Sequence, residues 1–282
     1  MFIFLVLSTL FIGVLKKNIY DSKLGINILV ITKEGIGIVG IRAGENLANF
    51  LVLPNNLVIE TLRGEFLIEA LWKVGLPEAD SLKVTRVGVG RALGVPLGGV
   101  IKSNLGLSYY DLLSSLISFS SRTNLSLTDR IRLYSDLSNL LKKGMRLELN
   151  FPQNVTDIYE EPDGKRILRT NQAVYTWTKN HFASDEILSE TAEVSVVNAS
   201  GKDGIGRLLA RQLETAGIRV IEVAGSSNKL SGICVMLSEK KVPKTALFIE
   251  KTFGCRKGGD HEKNYIERDV KADLVLIVGE EN

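Results

Sequence analysis

The residues whose types and spacing suit chemistry in this chain are those able to hold an anion: one glycine loop, a few arginines and some clustered amides. Gly201-Lys-Asp-Gly204-Ile-Gly206 ends a short apolar run and opens an amphipathic one. In that arrangement the free N–H groups of a helix start can meet a phosphate. The letters do not fit a nucleotide loop, because Lys202 precedes the later glycines instead of entering the helix. Glu222 is the one acid near the spacing of a ribose partner. A structural turn is the simpler reading, with Asn198 and Ser200 satisfying backbone groups and Arg207 at the loop's edge. Guanidinium groups bind phosphates in a bidentate manner, and the arginines among the first hundred residues are Arg42, Arg63, Arg86 and Arg91. Arg86 and Arg91 lie on one expected helix at a spacing that does not force them onto one face. Gly35-Ile-Gly37-Ile-Val-Gly40 matches G-x-G-x-x-G by letter, but it sits in a strand pattern with no helix after it. His181 and His261 show no ligand spacing, so no metal is expected. Cys234 and Cys255 can form a bridge worth about 3 kcal/mol in the chain-entropy model, or remain two buried thiols.

These groups need elements to position them. Glu193 to Val223 reads as strand, loop, helix, strand. Val194 and Val196 alternate with Glu193 and Ser195; Ile205, Leu208, Leu209, Leu213 and Ala216 share one helical stripe; Gly217 stands where a helix end takes a left-handed residue. Earlier, Ile26–Thr32, Ile36–Arg42 and Phe50–Leu53 read as strands divided by turns at Lys33-Glu34-Gly35 and Ala43–Asn46. Phe66–Val74 and Asp80–Leu93 read as helices, and a strand resumes at Val100-Ile101. Ser108 with Asp111, and Ser126 with Asp129, have capping spacing that predicts helices over residues 109–120 and 127–142. Leu147–Leu149 and Arg166–Leu168 read as strands around a polar loop, and Asn171–Phe182 as a short helix. The fold class is α/β.

At 282 residues the chain suits two modest domains, and 45% hydrophobic content supplies their cores. Lys+Arg 35 against Asp+Glu 32 leaves +3, and aromatics are 7% with no basic-aromatic repeat, so no nucleic-acid surface is expected. Met1–Leu15 is apolar apart from Ser8, Thr9 and Gly13, and meets Lys16-Lys17. Residues 1–15 would rise about 22 Å as a helix, short of the ~30 Å hydrocarbon core. No basic segment precedes the run and no small-x-small cleavage site follows it. It is read as a membrane anchor, residues 1–17, truncated or mis-started at its N-terminus. The two lysines alone would place the body in the cytoplasm.

Two resemblances extend this reading. Val194-Ser-Val-Val-Asn198-Ala-Ser-Gly201, then Gly204, an amphipathic helix and Ala216-Gly217, resembles the LytR C-terminal domain, whose opening strand ends in Asn-Gly-Thr-Gly or Asn-Ala-Thr-Gly. Ala272-Asp-Leu-Val-Leu-Ile-Val-Gly279-Glu280 resembles that domain's closing strand. Ahead of it, Leu51-Val-Leu-Pro54-Asn55-Asn56 and Ala92-Leu-Gly-Val-Pro96-Leu-Gly-Gly-Val100 resemble the LytR-CpsA-Psr domain, with its Ser-Ile-Pro-Arg-Asp strand end and its Leu-Gly-Ile-Pro before a strand. The domains expected are the anchor at 1–17, a degenerate LytR-CpsA-Psr-like α/β domain at 18–190 and a small LytR C-terminal-type α/β domain at 191–282.

Active members of the resembled family are phosphotransferases that move a glycopolymer from a polyprenyl pyrophosphate lipid onto peptidoglycan. That chemistry uses arginines on the pyrophosphate and carboxylates on a divalent metal. The family's first strand is followed by an Asp-x-Arg loop, where this chain has Thr32-Lys33-Glu34-Gly35, and its Pro-Arg-Asp position is Pro54-Asn55-Asn56 here. The resemblance therefore implies a non-catalytic binder or scaffold in cell-wall glycopolymer assembly, the alternative being an active transferase with rearranged cations. The ligand-binding candidates are Asn55, Asn56, Arg63, Arg86, Arg91, Asn198, Ser200 and Arg207. No catalytic residue, metal or cofactor is expected. The implied partners are peptidoglycan or a polyprenyl-linked glycan, on a single-pass membrane protein whose body is extracytoplasmic.

Overall fold

The computed structural model describes residues 17–61, 64–74, 81–232, 234–238, 240–267 and 271–279, and at 72–74 the backbone alone. All of the expected anchor except Lys17 lies outside the described residues, as does Arg63. Among the described residues no helix is long and apolar enough to cross a membrane. The architecture is mixed α/β, as the patterns indicated, and forms two compact units. The first comprises the chain up to Val89 with Leu97–Asn171, the second Gly90–Pro96 with Gln172–Asn282.

The first unit is built on β1 (Ile26–Ile31), β2 (Ile36–Arg42) and β3 (Leu47–Val52), an antiparallel meander in register from Ile31↔Ile36 to Ile26↔Ile41 and from Gly37↔Val52 to Arg42↔Leu47. β1 and β2 are buried along their whole length, so they read as continuous apolar runs instead of alternating ones. β4 (Leu57–Thr61), β5 (Gly64–Leu67), α1 (Ile68–Val74) and α2 (Ser81–Leu93) follow, and then β6 (Leu97–Lys102) returns to lie parallel to β1. Next come α3 (Tyr109–Ile117), β7 (Arg122–Thr123), α4 (Leu127–Lys142), β8 (Arg146–Leu149), β9 (Thr156–Glu160) and β10 (Arg166–Thr170). The larger sheet has six strands in the order β7-β6-β1-β2-β3-β8, and the smaller has four, β5-β4-β10-β9. β1, β3, β6 and β8 run one way, β2 and β7 the other.

One face of the larger sheet carries Ile28, Val30, Val39, Phe50 and Ile101, which pack on Leu112 and Leu116 of α3 and Leu133 and Leu137 of α4. Burying each of these side chains contributes about 1.5–3 kcal/mol. The Phe50 and Tyr109 rings lie 5.3 Å apart, and the Tyr109 hydroxyl donates to the carbonyls of Ala48 (2.8 Å) and Leu147 (3.0 Å). Burial pushes its phenol above the ordinary tyrosine range.

α4 starts on a reciprocal capping box. The Asp129 N–H donates to Ser126 Oγ (3.0 Å) and the Ser126 N–H to Asp129 Oδ2 (3.2 Å). The fully buried Asp129 carboxylate also accepts the N–H groups of Ile19 and Tyr20, each at 3.1 Å. The Ser126 hydroxyl donates to Asn18 Oδ1 (2.7 Å), and the Tyr20 hydroxyl to Asp136 Oδ2 (2.7 Å). The chain is thus fastened to α4 just before it enters β1.

Three local readings are corrected. Phe66 and Leu67 pair with Ile59 and Val58 in the smaller sheet, so the helix expected from Phe66 begins at Ile68. α3 ends at Ile117 instead of near residue 120, where Arg130 takes over its free carbonyls, donating to Leu116 O (2.7 Å) and Ser118 O (2.5 Å). β9 escaped notice because most of its residues are exposed, which erases the alternation that marks a half-buried strand.

The second unit holds α5 (Ala173–Phe182), α6 (Asp185–Glu190), β11 (Glu193–Asn198), α7 (Ile205–Ala216), β12 (Arg219–Gly225), β13 (Cys234–Ser238), α8 (Pro243–Phe253), β14 (Arg256–Lys257) and β15 (Leu274–Val278). Its five-stranded sheet runs β12-β11-β15-β13-β14, with β11 parallel to both neighbours. Gly217 ends α7 at φ +100°, and a Cβ there would come within 2.6 Å of Leu188, so the position requires glycine. Cys234 and Cys255 are disulfide-bonded, joining β13 to the end of α8. The Asp273 carboxylate takes the Glu193 N–H (2.9 Å) and the Lys240 ammonium (2.8 Å) and ties β15 to the start of β11.

Asp129→Ala is expected to leave the Ile19 and Tyr20 N–H groups without their acceptor and to destabilise the first unit by about 3 kcal/mol; denaturant unfolding measures it. An unchanged midpoint would mean that the clamp contributes nothing. The Glu193 N–H, then Lys240, hold the Asp273 carboxyl below the usual range. A depressed folded value gives stability that is present above the unfolded value of about 4 and lost as pH falls through the folded one. Acid unfolding of Asp273→Asn should therefore be shallower than that of the wild type.

Candidate functional site

Because β1, β3, β6 and β8 run in one direction, their carboxyl ends open on the same edge of the larger sheet. In sheets with parallel neighbours that edge is the usual place for a ligand. β1 ends in the turn Thr32–Gly35, closed by the Thr32 N–H on Gly35 O (2.9 Å). β3 ends in Leu53-Pro54-Asn55-Asn56, and β6 in Lys102-Ser103, where the Ser103 N–H donates to Ile31 O (3.0 Å). Asn55 is exposed, and its Oδ1 sits 3.0 Å from where a Cβ on Gly35 would stand. Asn56 is turned to structural use, its Nδ2 donating to Arg166 O at 3.2 Å.

Two groups that the sequence reading passed over lie at this edge. Lys102 and Arg122 are direct partners across the β6–β7 pair and so share a face of the sheet. Ile101 joins the core beneath α3 and α4, which puts Lys102 on the opposite face. Partial burial, and then the neighbouring Arg122 charge, hold the Lys102 ammonium below the usual lysine range. Two like charges held side by side are relieved by an anion between them. The second group is acidic: a Cβ on Gly106 would meet Asp111 Oδ2 at 2.8 Å and Glu34 Oε2 at 3.1 Å. Glu34 accepts the Leu107 N–H (3.2 Å), and Asp111 the Ser108 hydroxyl (2.6 Å). Among the described residues there is no cluster of three or more His, Cys, Asp or Glu able to hold a metal ion. Lys102 was readable as a cation closing an apolar run, but nothing local marks Arg122, whose partner is distant in sequence.

The other candidates sit elsewhere. Arg86 reaches the amino end of β6, where its guanidinium donates to the carbonyls of Leu97 and Gly98. Arg91 belongs to the short segment grouped with the second unit and is half-buried. Asn198 and Ser200 come together and serve their own loop. Ser200 Oγ donates to Asn198 Oδ1 (2.6 Å), Asn198 Nδ2 to Lys202 O (2.9 Å), and the Lys202 N–H to Ser200 Oγ (3.1 Å). Arg207 is exposed on α7. The second unit also has an open cleft of about 470 Å³ lined by Tyr175, Lys179, Arg211, Glu214 and Arg219. Its charges are largely engaged: Arg211 lies over the Tyr175 ring and donates to its hydroxyl (3.0 Å), and Arg219 pairs with Glu193 (2.6 Å).

No family model and no curated protein matches the chain. Among solved structures it is similar to Bacillus subtilis TagT, at 15% identity over 61% of this chain and 94% of that one, with a TM-score of 0.44. It is similar also to the LytR-CPS2A-psr family protein YwtF (TagT) with bound octaprenyl pyrophosphate lipid, at 14% identity over 61% and 93%, TM-score 0.43. A third likeness is to the Lin1025 protein of Listeria innocua, at 11% identity over 55% and 97%, TM-score 0.40. At these identities and TM-scores, the likenesses assign neither family nor function to this chain.

Arg86→Ala is expected to lower stability by about 1–3 kcal/mol, because two β6 carbonyls lose a charged donor. Its affinity for inorganic pyrophosphate, measured by titration calorimetry, should be unchanged. A loss of affinity without a loss of stability would return Arg86 to the ligand site.

Proposed function

We propose that this protein is a membrane-anchored, extracytoplasmic envelope protein that binds a polyprenyl-linked anionic glycan or the wall itself, and acts as a non-catalytic binder or scaffold in glycopolymer assembly. The observation that carries the reading is the Lys102–Arg122 pair at the carboxyl edge of the sheet, the same edge on which β3 ends in amides. The pair offers positive charge to a diphosphate, while Asn55 and Asn56 supply neither the guanidinium nor the carboxylate of the resembled Pro-Arg-Asp segment. The apolar run Met1–Leu15 supports the anchor. The Cys234–Cys255 bond supports a body outside the reducing cytoplasm.

A second reading, glycopolymer transfer, is favoured by one observation, the approach of the Glu34 and Asp111 carboxylates to Gly106. One or two carboxylates together with substrate phosphates are the usual ligands of Mg²⁺.

The full chain, extracted from bacterial membranes, should carry polyprenyl pyrophosphate detectable by lipid mass spectrometry. Lys102→Ala combined with Arg122→Ala should weaken pyrophosphate binding by about 10- to 100-fold, since each partly exposed charged contact contributes about 1 kcal/mol. A protein that emerges without lipid and binds pyrophosphate equally well in the double variant sinks the ligand assignment. Mg²⁺-dependent transfer of a lipid-linked glycan that disappears in Glu34→Gln would replace the binder reading with the enzyme one.

A further inference from the structure

Three large apolar side chains stand in solvent where α3 ends and α4 begins: Ile117 is 57% exposed, Phe119 80% and Ile131 60%. The backbone beneath them is held in place. Arg130 donates to Leu116 O and Ser118 O, and the Ser118 and Ser120 hydroxyls are hydrogen-bonded at 2.8 Å. The same first turn of α4 receives the incoming chain, through Ser126 on Asn18 and Asp129 on Ile19 and Tyr20. The described chain therefore enters the first unit at the turn of α4 that leads into Arg130 and, through it, the end of α3. Charge agrees with the position. From Leu112 to Ser135 the one acid is Asp129, which is fully buried, while Lys17 and Arg132 are exposed.

The geometry points to Ile117, Phe119 and Ile131 as a membrane-interface patch, seated at the headgroup–acyl boundary of an anionic bilayer with Lys17 and Arg132 toward the lipid phosphates. Aromatic and aliphatic side chains ringed by basic ones are what that boundary favours. The lipid surface is the occupant because the chain leading into this corner is the one read as an anchor, so a bilayer that holds the anchor lies against the patch. The patch gives the body a second contact and fixes its tilt, which one anchor leaves free. The inference rests on the anchor reading of the proposed function.

Both cysteines of the chain are in the disulfide, so Ser120→Cys in the full protein offers one thiol for an NBD probe. Reconstituted in phosphatidylethanolamine–phosphatidylglycerol vesicles, this label should be blue-shifted and shielded from aqueous iodide, while a label at Asp163→Cys, in the β9–β10 turn, remains quenchable. Adding Ile117→Ser and Phe119→Ser should abolish the shielding at position 120 with the circular dichroism unchanged. Protein that floats with the vesicles while the position-120 label stays in water overturns the patch and leaves the anchor standing. Protein that does not float overturns both. Shielding that persists in detergent and depends on protein concentration assigns the face to a second copy and overturns the lipid assignment.

Discussion

The first unit depends on a single buried carboxylate. Asp129 caps α4 and, with the same two oxygens, holds the N–H groups of Ile19 and Tyr20. An unpaired polar group at such a depth would cost far more than an ordinary hydrogen bond returns, so helix start and chain entry are satisfied together or not at all. Tyr20 adds a buried ring and a hydroxyl on Asp136. With the entry point fixed, β1 starts in one register, and the sheet edge that carries Lys102 and Glu34 is placed by the strands that pair with it.

The second unit solves the same problem at a different place. There Asp273 accepts the Glu193 N–H while its own N–H returns to Glu193 O at 2.9 Å, so the two central strands begin in a mutual clasp. β11 and β15 are buried nearly throughout and have few polar groups with which to set their alignment. A carboxylate at the strand mouth sets it, and a one-residue slip would break both hydrogen bonds and exchange the two faces of the strand.

Much of this was legible in the sequence where the signal is local. The capping spacing at Ser126 and Asp129 placed α4 to the residue, and the glycine loop with its stripe of Ile205, Leu209 and Leu213 located α7. What escaped was long-range. Phe66 and Leu67 have helical neighbours yet pair as strand, because β4 offers them a ladder. Arg122 and Lys102 are adjacent only through the pairing of β7 with β6. Arg86, an attractive anion ligand by type, reaches the carbonyls of Leu97 and Gly98. Residue type tells what a side chain can hold; only the fold tells what it already holds.

The Lys102–Arg122 pair also bears on the choice between binding and transfer. Partial burial, and then the neighbouring guanidinium, disfavour the charged form of its ammonium. A diphosphate would gain when it binds, and again as negative charge grows on it when its bond to a glycan breaks. Of that gain, the part shared equally by ground and transition states raises affinity and leaves turnover unchanged. Turnover needs charge that engages only as the leaving group develops, and at the strand end where an arginine and an acid would supply it this chain presents Asn55 and Asn56, the second already committed to Arg166 O. On the binder reading proposed above, the edge would hold a diphosphate without cleaving it.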